Sequence, residues 1–137
     1  FKRKHLEVYG ESCKRIQARG IQVLGAFVVG FDHDTRDTLL VLRDFILENN
    51  IWAQIHILTP FPATRVRQRL VEQGRLSPTD ANWDLYTCFD FTFEPARITQ
   101  QELEEVLVEI YEDIYSEAAH HRRMRHMVDQ KKLALKK

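Results

Sequence analysis

Apolar and polar positions change their spacing several times along the chain, and each change predicts an element. Leu6, Tyr9, Cys13 and Ile16 recur at helical intervals, which predicts a helix over about Lys4–Arg19 ended by Gly20. The run from Ile21 to Gly30 is nearly all apolar and rich in β-branched residues. Such a run predicts a strand buried on both faces, as in a parallel sheet. Asp32-His33-Asp34-Thr35 offers N-cap chemistry for a helix over about Arg36–Glu48, with Leu39, Leu42, Phe45 and Ile46 on one side. Trp52–Leu58 reads as a second strand, ended by Pro60 and Pro62, because proline cannot donate to a ladder. Thr64 then caps a short helix to about Gln73, and Gly74 stops it. Strand, helix and strand in this order make the βαβ unit of a parallel sheet. Two strands do not bury themselves as a sheet, so further strands are expected upstream.

The second half has another texture. Ser77-Pro78-Thr79-Asp80 is a turn, and Phe89, Phe91 and Phe93 alternate with Asp90, Thr92 and Glu94. That period of two predicts a strand with one buried face, ended by Pro95. Thr99-Gln100-Gln101-Glu102 is a capping box, with Ile98 and Leu103 placed as a hydrophobic staple. Leu103, Val106, Leu107, Ile110, Tyr111, Ile114 and Ala118 then hold helical spacing. This segment is acidic from Glu102 to Glu117, and Arg122–Lys137 is strongly basic. One long helix and two helices broken near His120 are both compatible with the pattern.

Composition narrows the function classes. Lys plus Arg and Asp plus Glu both number 20, so the formal net charge is zero. A nucleic-acid-binding protein should carry a basic excess. No apolar stretch approaches the ~20 residues of a membrane helix, and Phe1–His5 leads into a charged segment and not an apolar leader. Two isolated cysteines, Cys13 and Cys88, fit neither a disulfide framework nor a metal site, and a cytoplasmic setting is expected. The chain opens as if in mid-helix, which suggests a piece of a longer protein.

Four groups of residues are candidates for chemistry. Gly25–Asp32 and Leu58–Arg65 lie at the carboxyl ends of the two expected strands, where α/β folds bind ligands. The first is not a dinucleotide fingerprint, because the Gly-x-Gly-x-x-Gly spacing is absent. Thr64 suits a cap better than an anion site. Gln54 and His56 are polar positions on one face of an apolar strand, where a neutral histidine can bind or protonate a substrate. The histidines of His120–His126 lack the i, i+4 spacing of a helical zinc pair and are interleaved with arginine, so a solvated basic helix end is the expectation. Spacing alone therefore reaches an α/β fragment with a ligand edge.

Four stretches together carry a resemblance. They are Gly20–Thr35, Leu58-Thr59-Pro60-Phe61-Pro62-Ala63-Thr64-Arg65, Glu72-Gln73-Gly74-Arg75-Leu76 and Asn82-Trp83-Asp84-Leu85-Tyr86. In order and spacing they resemble the late barrel of radical S-adenosylmethionine (SAM) enzymes, especially those with an N-terminal cobalamin-binding domain. The resemblance implies a partial (β/α) barrel upstream, with a four-iron four-sulfur cluster on a Cys-x-x-x-Cys-x-x-Cys loop. In that family the reduced cluster cleaves SAM to a 5′-deoxyadenosyl radical. Neither Cys13 nor Cys88 matches the loop. The family's Gly-x-Ile-x-Gly motif, which packs on the adenine of SAM, falls on Ala26, Val28 and Gly30, with Ala26 in place of the first glycine. Leu58, Thr59 and Pro60 are implied to line the same site. The usual Pro-Gly-Thr has become Pro62-Ala63-Thr64, which stiffens the loop or disfavours a positive φ.

The expectation is thus an α/β fold. Residues 1–74 form the C-terminal portion of a partial (β/α) barrel with parallel strands, and residues 75–137 a small, mainly helical accessory lobe with one strand. The function expected is the late-strand side of the SAM and substrate site of an iron–sulfur radical SAM oxidoreductase or methyltransferase, inactive alone. Val28, Gly30, Leu58, Thr59 and Pro60 are its cofactor contacts, and Gln54 and His56 its substrate contacts. Expected partners are the upstream part of its own polypeptide, a small-molecule substrate, and a second copy through an exposed sheet edge, with no nucleic acid and no membrane. The competing reading is a non-catalytic protein-interaction module docking through its charged helical end.

Overall fold

The computed structural model describes residues 3–77 and 82–136. Their order is α1 (Arg3–Gln17), β1 (Leu24–Val29), α2 (Arg36–Glu48), β2 (Trp52–Ile57), α3 (Arg65–Glu72), a single 3-10 turn (Trp83–Leu85), α4 (Gln100–Ile114) and α5 (Glu117–Ala134). The fold is α/β. β1 and β2 pair in parallel, Leu24 opposite Trp52 through Val29 opposite Ile57.

Local chemistry sets the helix starts. Thr35 and Thr99 each close a capping box on α2 and α4, with Thr38 and Glu102 returning the bond. Thr64 caps α3 and Ser116 caps α5. Ser116 also settles the C-terminal ambiguity: the helix breaks at Tyr115–Ser116, five residues before the basic run, and a new helix starts there.

One core serves both halves of the chain. Val29, Ile55 and Ile57 on one face of the sheet, Leu39 and Ile46 of α2, and Leu103, Val106, Ile110 and Ile114 of α4 are buried together with Phe93. At about 25 cal/mol per Å² of apolar surface removed from water, this burial is the main stabilising term. Arg43 ties α2 to α4 at the rim through Asp113 (3.1 Å) and Glu109 (3.4 Å). α1 approaches the end of α2 closely: a Cβ on Gly10 would meet Asn49 Oδ1 at 3.0 Å, which accounts for a glycine inside a helix.

Two expectations are corrected. The strands are not buried on both faces. Exposure alternates along β1 and β2, so Leu24, Ala26, Val28, Gln54 and His56 share the more exposed face, where Phe89 packs on His56 and α5 meets Trp52 at the strands' start. The alternating phenylalanines do not form a strand. Only an isolated antiparallel bridge joins Phe93 to Leu76. The reason lies upstream of Phe93: Cys88 turns with φ +68°, and its carbonyl accepts from Ile57 N (2.7 Å), so the segment has already bent against β2. Phe93 is fully buried while Phe89 is 61% exposed.

The two edges of the sheet differ. Trp52 N donates to Val23 O and Leu58 N to Val29 O, so alternate groups of β2 face outward. Three of those outward groups are taken: Tyr111 donates its hydroxyl to Ile55 O (2.9 Å), Tyr115 to Ala53 O (2.7 Å), and Ile57 N reaches Cys88 O. Burial pushes the Tyr111 phenol up, which keeps it a donor. The outer edge of β1 has no strand partner among the described residues. A groove of about 250 Å³ runs along it, lined by Leu6, Ala26, Val28, Phe31 and Leu42 among others.

Candidate cofactor and substrate face

Of the residues singled out for a site, four fall on or beside one surface. Ala26 and Val28 of β1 lie opposite Gln54 and His56 of β2 in the register, on the open face. Val28 is 45% exposed and Gln54 is exposed. The His56 ring packs at 5.3 Å on Phe89, and its Nδ1 is buried without a hydrogen-bond partner. A buried polar atom left unpaired is costly.

The other residues shape the loops at the strands' carboxyl ends. Gly30 adopts φ +97°, and a Cβ there would meet the Phe93 ring at 3.3 Å, so both backbone and packing require glycine. Its N–H is already bonded to Asp34 Oδ2 (2.8 Å). Leu58 is half-buried against the core. Thr59 is half-buried and donates its hydroxyl to Ile57 O (3.1 Å). Pro60 is fully buried, and its carbonyl accepts from Arg67 (3.3 Å). Ala63 takes φ +62° despite its Cβ, so the loop keeps the left-handed conformation that glycine would adopt freely.

Asp34 is the residue that sequence reasoning undervalued. Its carboxylate, 90% buried as a side chain, accepts from Gly30 N (2.8 Å) and Phe31 N (2.9 Å). It clamps the β1–α2 loop, and Phe31 and His33 stack over that clamp at 5.7 Å. Asp32 beside it pairs with Arg69 (3.0 Å) and Arg75 (2.9 Å), drawing the end of α3 to the loop. The only local signal was an aspartate just ahead of the helix cap.

Aromatic side chains gather at the same end. Phe61 lies 5.9 Å from Tyr86, which lies 4.9 Å from Trp83, and the Arg67 guanidinium sits 5.9 Å from both of the latter rings. At the opposite end of the strands, Arg123 is 3% exposed, stacks on Trp52 at 4.9 Å and donates to Ile114 O. Burial pulls its pKa down, and Arg122 adds to this. His120 meets Trp52 edge-on, and His126 contacts Gln17 (3.3 Å). These groups therefore anchor α5 at the amino-terminal end of β2.

No group of three or more His, Cys, Asp or Glu side chains among the described residues is placed to hold a metal ion. Cys13 and Cys88 are both half-buried, one on α1 and the other in the loop after the 3-10 turn. Burial raises the Cys13 thiol, the opposite of an activated thiolate. No described helix is long and apolar enough to cross a membrane.

No family profile matches the chain. It is similar to two methyltransferases. The bacteriochlorophyllide d C-12(1)-methyltransferase of Chlorobaculum tepidum is 28% identical over 120 residues, 87% of this chain and 25% of the relative. An uncharacterized methyltransferase of Pyrococcus horikoshii is 27% identical over 106 residues, 77% of this chain and 23% of the relative. The chain thus spans about a quarter of the length of the curated methyltransferases it resembles.

Proposed function

We propose that this chain forms the late-strand side of the SAM and substrate site of a radical SAM methyltransferase and does not act alone. The observation that carries the reading is the open sheet face. It sets apolar Ala26 and Val28 directly beside polar Gln54 and His56, on the face that leads to the strands' carboxyl ends, where α/β enzymes bind ligands. The similarity to two methyltransferases supports the reaction class.

The residues fit the adenosine part of SAM. Val28 offers exposed apolar surface next to the unpaired edge of β1, and Leu58 and Thr59 stand half-buried at the end of the neighbouring strand. Gly30 and Pro60 have their backbone groups engaged and set loop shape. When bound, SAM supplies the methyl group and the precursor of the radical. Gln54 orients the substrate, and His56, with Nδ1 unpaired, holds or accepts a proton. The thiolate set of an iron–sulfur cluster does not fit this chain, because Cys13 and Cys88 do not assemble with other ligands. In this reading the cluster and a cobalamin domain belong to the rest of the polypeptide. That polypeptide is also the partner that pairs with the outer edge of β1, since two parallel strands are too few for a stable sheet.

The test is SAM binding and cleavage by the longer polypeptide under anaerobic, reducing conditions. We expect 5′-deoxyadenosine by chromatography. By equilibrium dialysis of the oxidised protein, we expect Val28→Asp to weaken SAM binding at least about tenfold, about 1.4 kcal/mol. A polypeptide that neither binds nor cleaves SAM refutes the proposal.

A further inference from the structure

Two helices carry the same outward pattern with opposite charge. Along α4, Gln101, Glu105, Val108, Glu112 and Tyr115 follow one another at alternating steps of four and three residues, and all are exposed. Along α5 and its C-cap, His121, Arg125, Val128, Lys132 and Leu135 repeat those steps, and all are exposed. Alternating steps of three and four make one stripe along a helix, as on the seam of a coiled coil. Each stripe has a valine at its centre with a charge on either side, acidic on α4 and basic on α5. A merely solvated charged face needs no apolar members, yet Val108 is 52% exposed, Tyr115 55%, Val128 40% and Leu135 88%.

The charges of the two stripes are unmatched within the chain. Arg36 and Arg43 of α2 pair with Glu109 and Asp113 on the flank of α4. Glu105, Glu112, Arg125 and Lys132 form no ion pair with any described residue. Nor do the stripes of one chain meet. α5 turns its other face inward, where Arg123 stacks on Trp52, His126 contacts Gln17, and Met127 contacts Gln22. At 3.6 residues per turn, Arg125, Val128 and Lys132 lie on the side opposite Arg123.

We propose that α4 of one copy docks against α5 of a second copy through these stripes. With Val108 opposite Val128, Glu105 and Glu112 each face Arg125 or Lys132 whichever way the helices run. The reason is that each valine stands three residues from one charge and four from the other. The parallel sense also brings Tyr115 to Leu135. Like charges keep α4 from α4 and α5 from α5, so the pairing is selective. A helix lying on a membrane surface needs a broad apolar face. The α5 stripe instead alternates charged and apolar residues, which suits a helix of opposite charge.

The test is sedimentation velocity of the longer polypeptide over a wide range of concentration. We expect reversible self-association that weakens about tenfold as NaCl rises from about 0.1 M to about 1 M, because the screening length falls from about 10 Å to about 3 Å. Glu105→Lys with Glu112→Lys should lose this association, and so should Arg125→Glu with Lys132→Glu. Mixed in equal amounts, the two reversed forms should associate again, since each α4 then meets an α5 of opposite charge. Circular dichroism checks that each form stays folded. Where a reversal unfolds the protein, glutamine at the same two positions replaces it and should weaken association at least about tenfold. A parent that stays monomeric, variants that associate as the parent does, or a mixture of reversed forms that stays apart overturns the proposal. So does a monomeric parent that sediments with phosphatidylserine vesicles, which would make the α5 stripe a lipid contact.

Discussion

Replacing Asp34 with alanine should destabilise the chain more than any other single change in its loops. The carboxylate accepts two backbone N–H groups, from Gly30 and Phe31, at 2.8 and 2.9 Å. A hydrogen bond to a charged group contributes about 1.5–3 kcal/mol. Gly30 is buried, so its N–H finds no water when the acceptor is removed; Phe31 is half-buried and recovers part of its loss from solvent. The two bonds share one acceptor group and are not additive. The expected total is about 3 kcal/mol, or a fall in Tm of about 10 °C for a domain of this size. Asp34→Asn keeps one acceptor oxygen and should lose about half as much. Urea unfolding followed by far-ultraviolet circular dichroism measures both. A loss below about 0.5 kcal/mol in Asp34→Ala, the level of an ordinary surface change, would refute the clamp.

Three further outcomes are expected. Ala63→Gly should raise stability by about 1 kcal/mol, because glycine takes φ +62° without the Cβ penalty; an unchanged or lower urea midpoint would contradict this. Tyr111→Phe and Tyr115→Phe should each lose about 1 kcal/mol, and in each variant hydrogen exchange should show β2 opening more readily. Hydrogen bonds from the Thr99 N–H and then its hydroxyl hold the Glu102 carboxylate below its ordinary pKa. A lowered folded-state pKa stabilises above the unfolded value and is lost as pH falls through the folded one. Acid titration of Glu102→Gln should therefore show a shallower decline in stability below about pH 4.5 than the parent, and identical curves would argue against the capping box.

What the sequence disclosed depended on the range of the interaction. α2 and α4 start where Thr35 and Thr99 place them, because a capping box is closed within four residues. The parallel βαβ unit was legible for the same reason: each strand is a short apolar run bounded by glycine or proline. The Phe89–Phe93 alternation misled because a strand also needs a partner, and the bend at Cys88 is fixed by Ile57, 31 positions away in sequence. Tyr111 and Tyr115 read as ordinary members of a helical face; that their hydroxyls reach Ile55 and Ala53 depends on how α4 docks. Gln54 and His56 were legible as polar breaks in an apolar strand, whereas the contact of Phe61 with Tyr86 joins two separate segments and has no local pattern. The open sheet face was hidden because alternating burial in an all-apolar strand leaves no trace in residue type.

The tyrosine hydroxyls along β2 give the sheet a direction of growth. Extension by strand pairing into a fibre needs two receptive rims on every molecule, one to donate and one to accept. Here one rim is occupied by the tyrosines of α4, whose hydroxyls an added strand would have to displace from Ala53 O and Ile55 O. A strand can therefore be added only beyond β1, and two copies meeting there use up both open rims. Assembly through the backbone stops at a pair, so β2 terminates the ladder in any larger sheet built on this one.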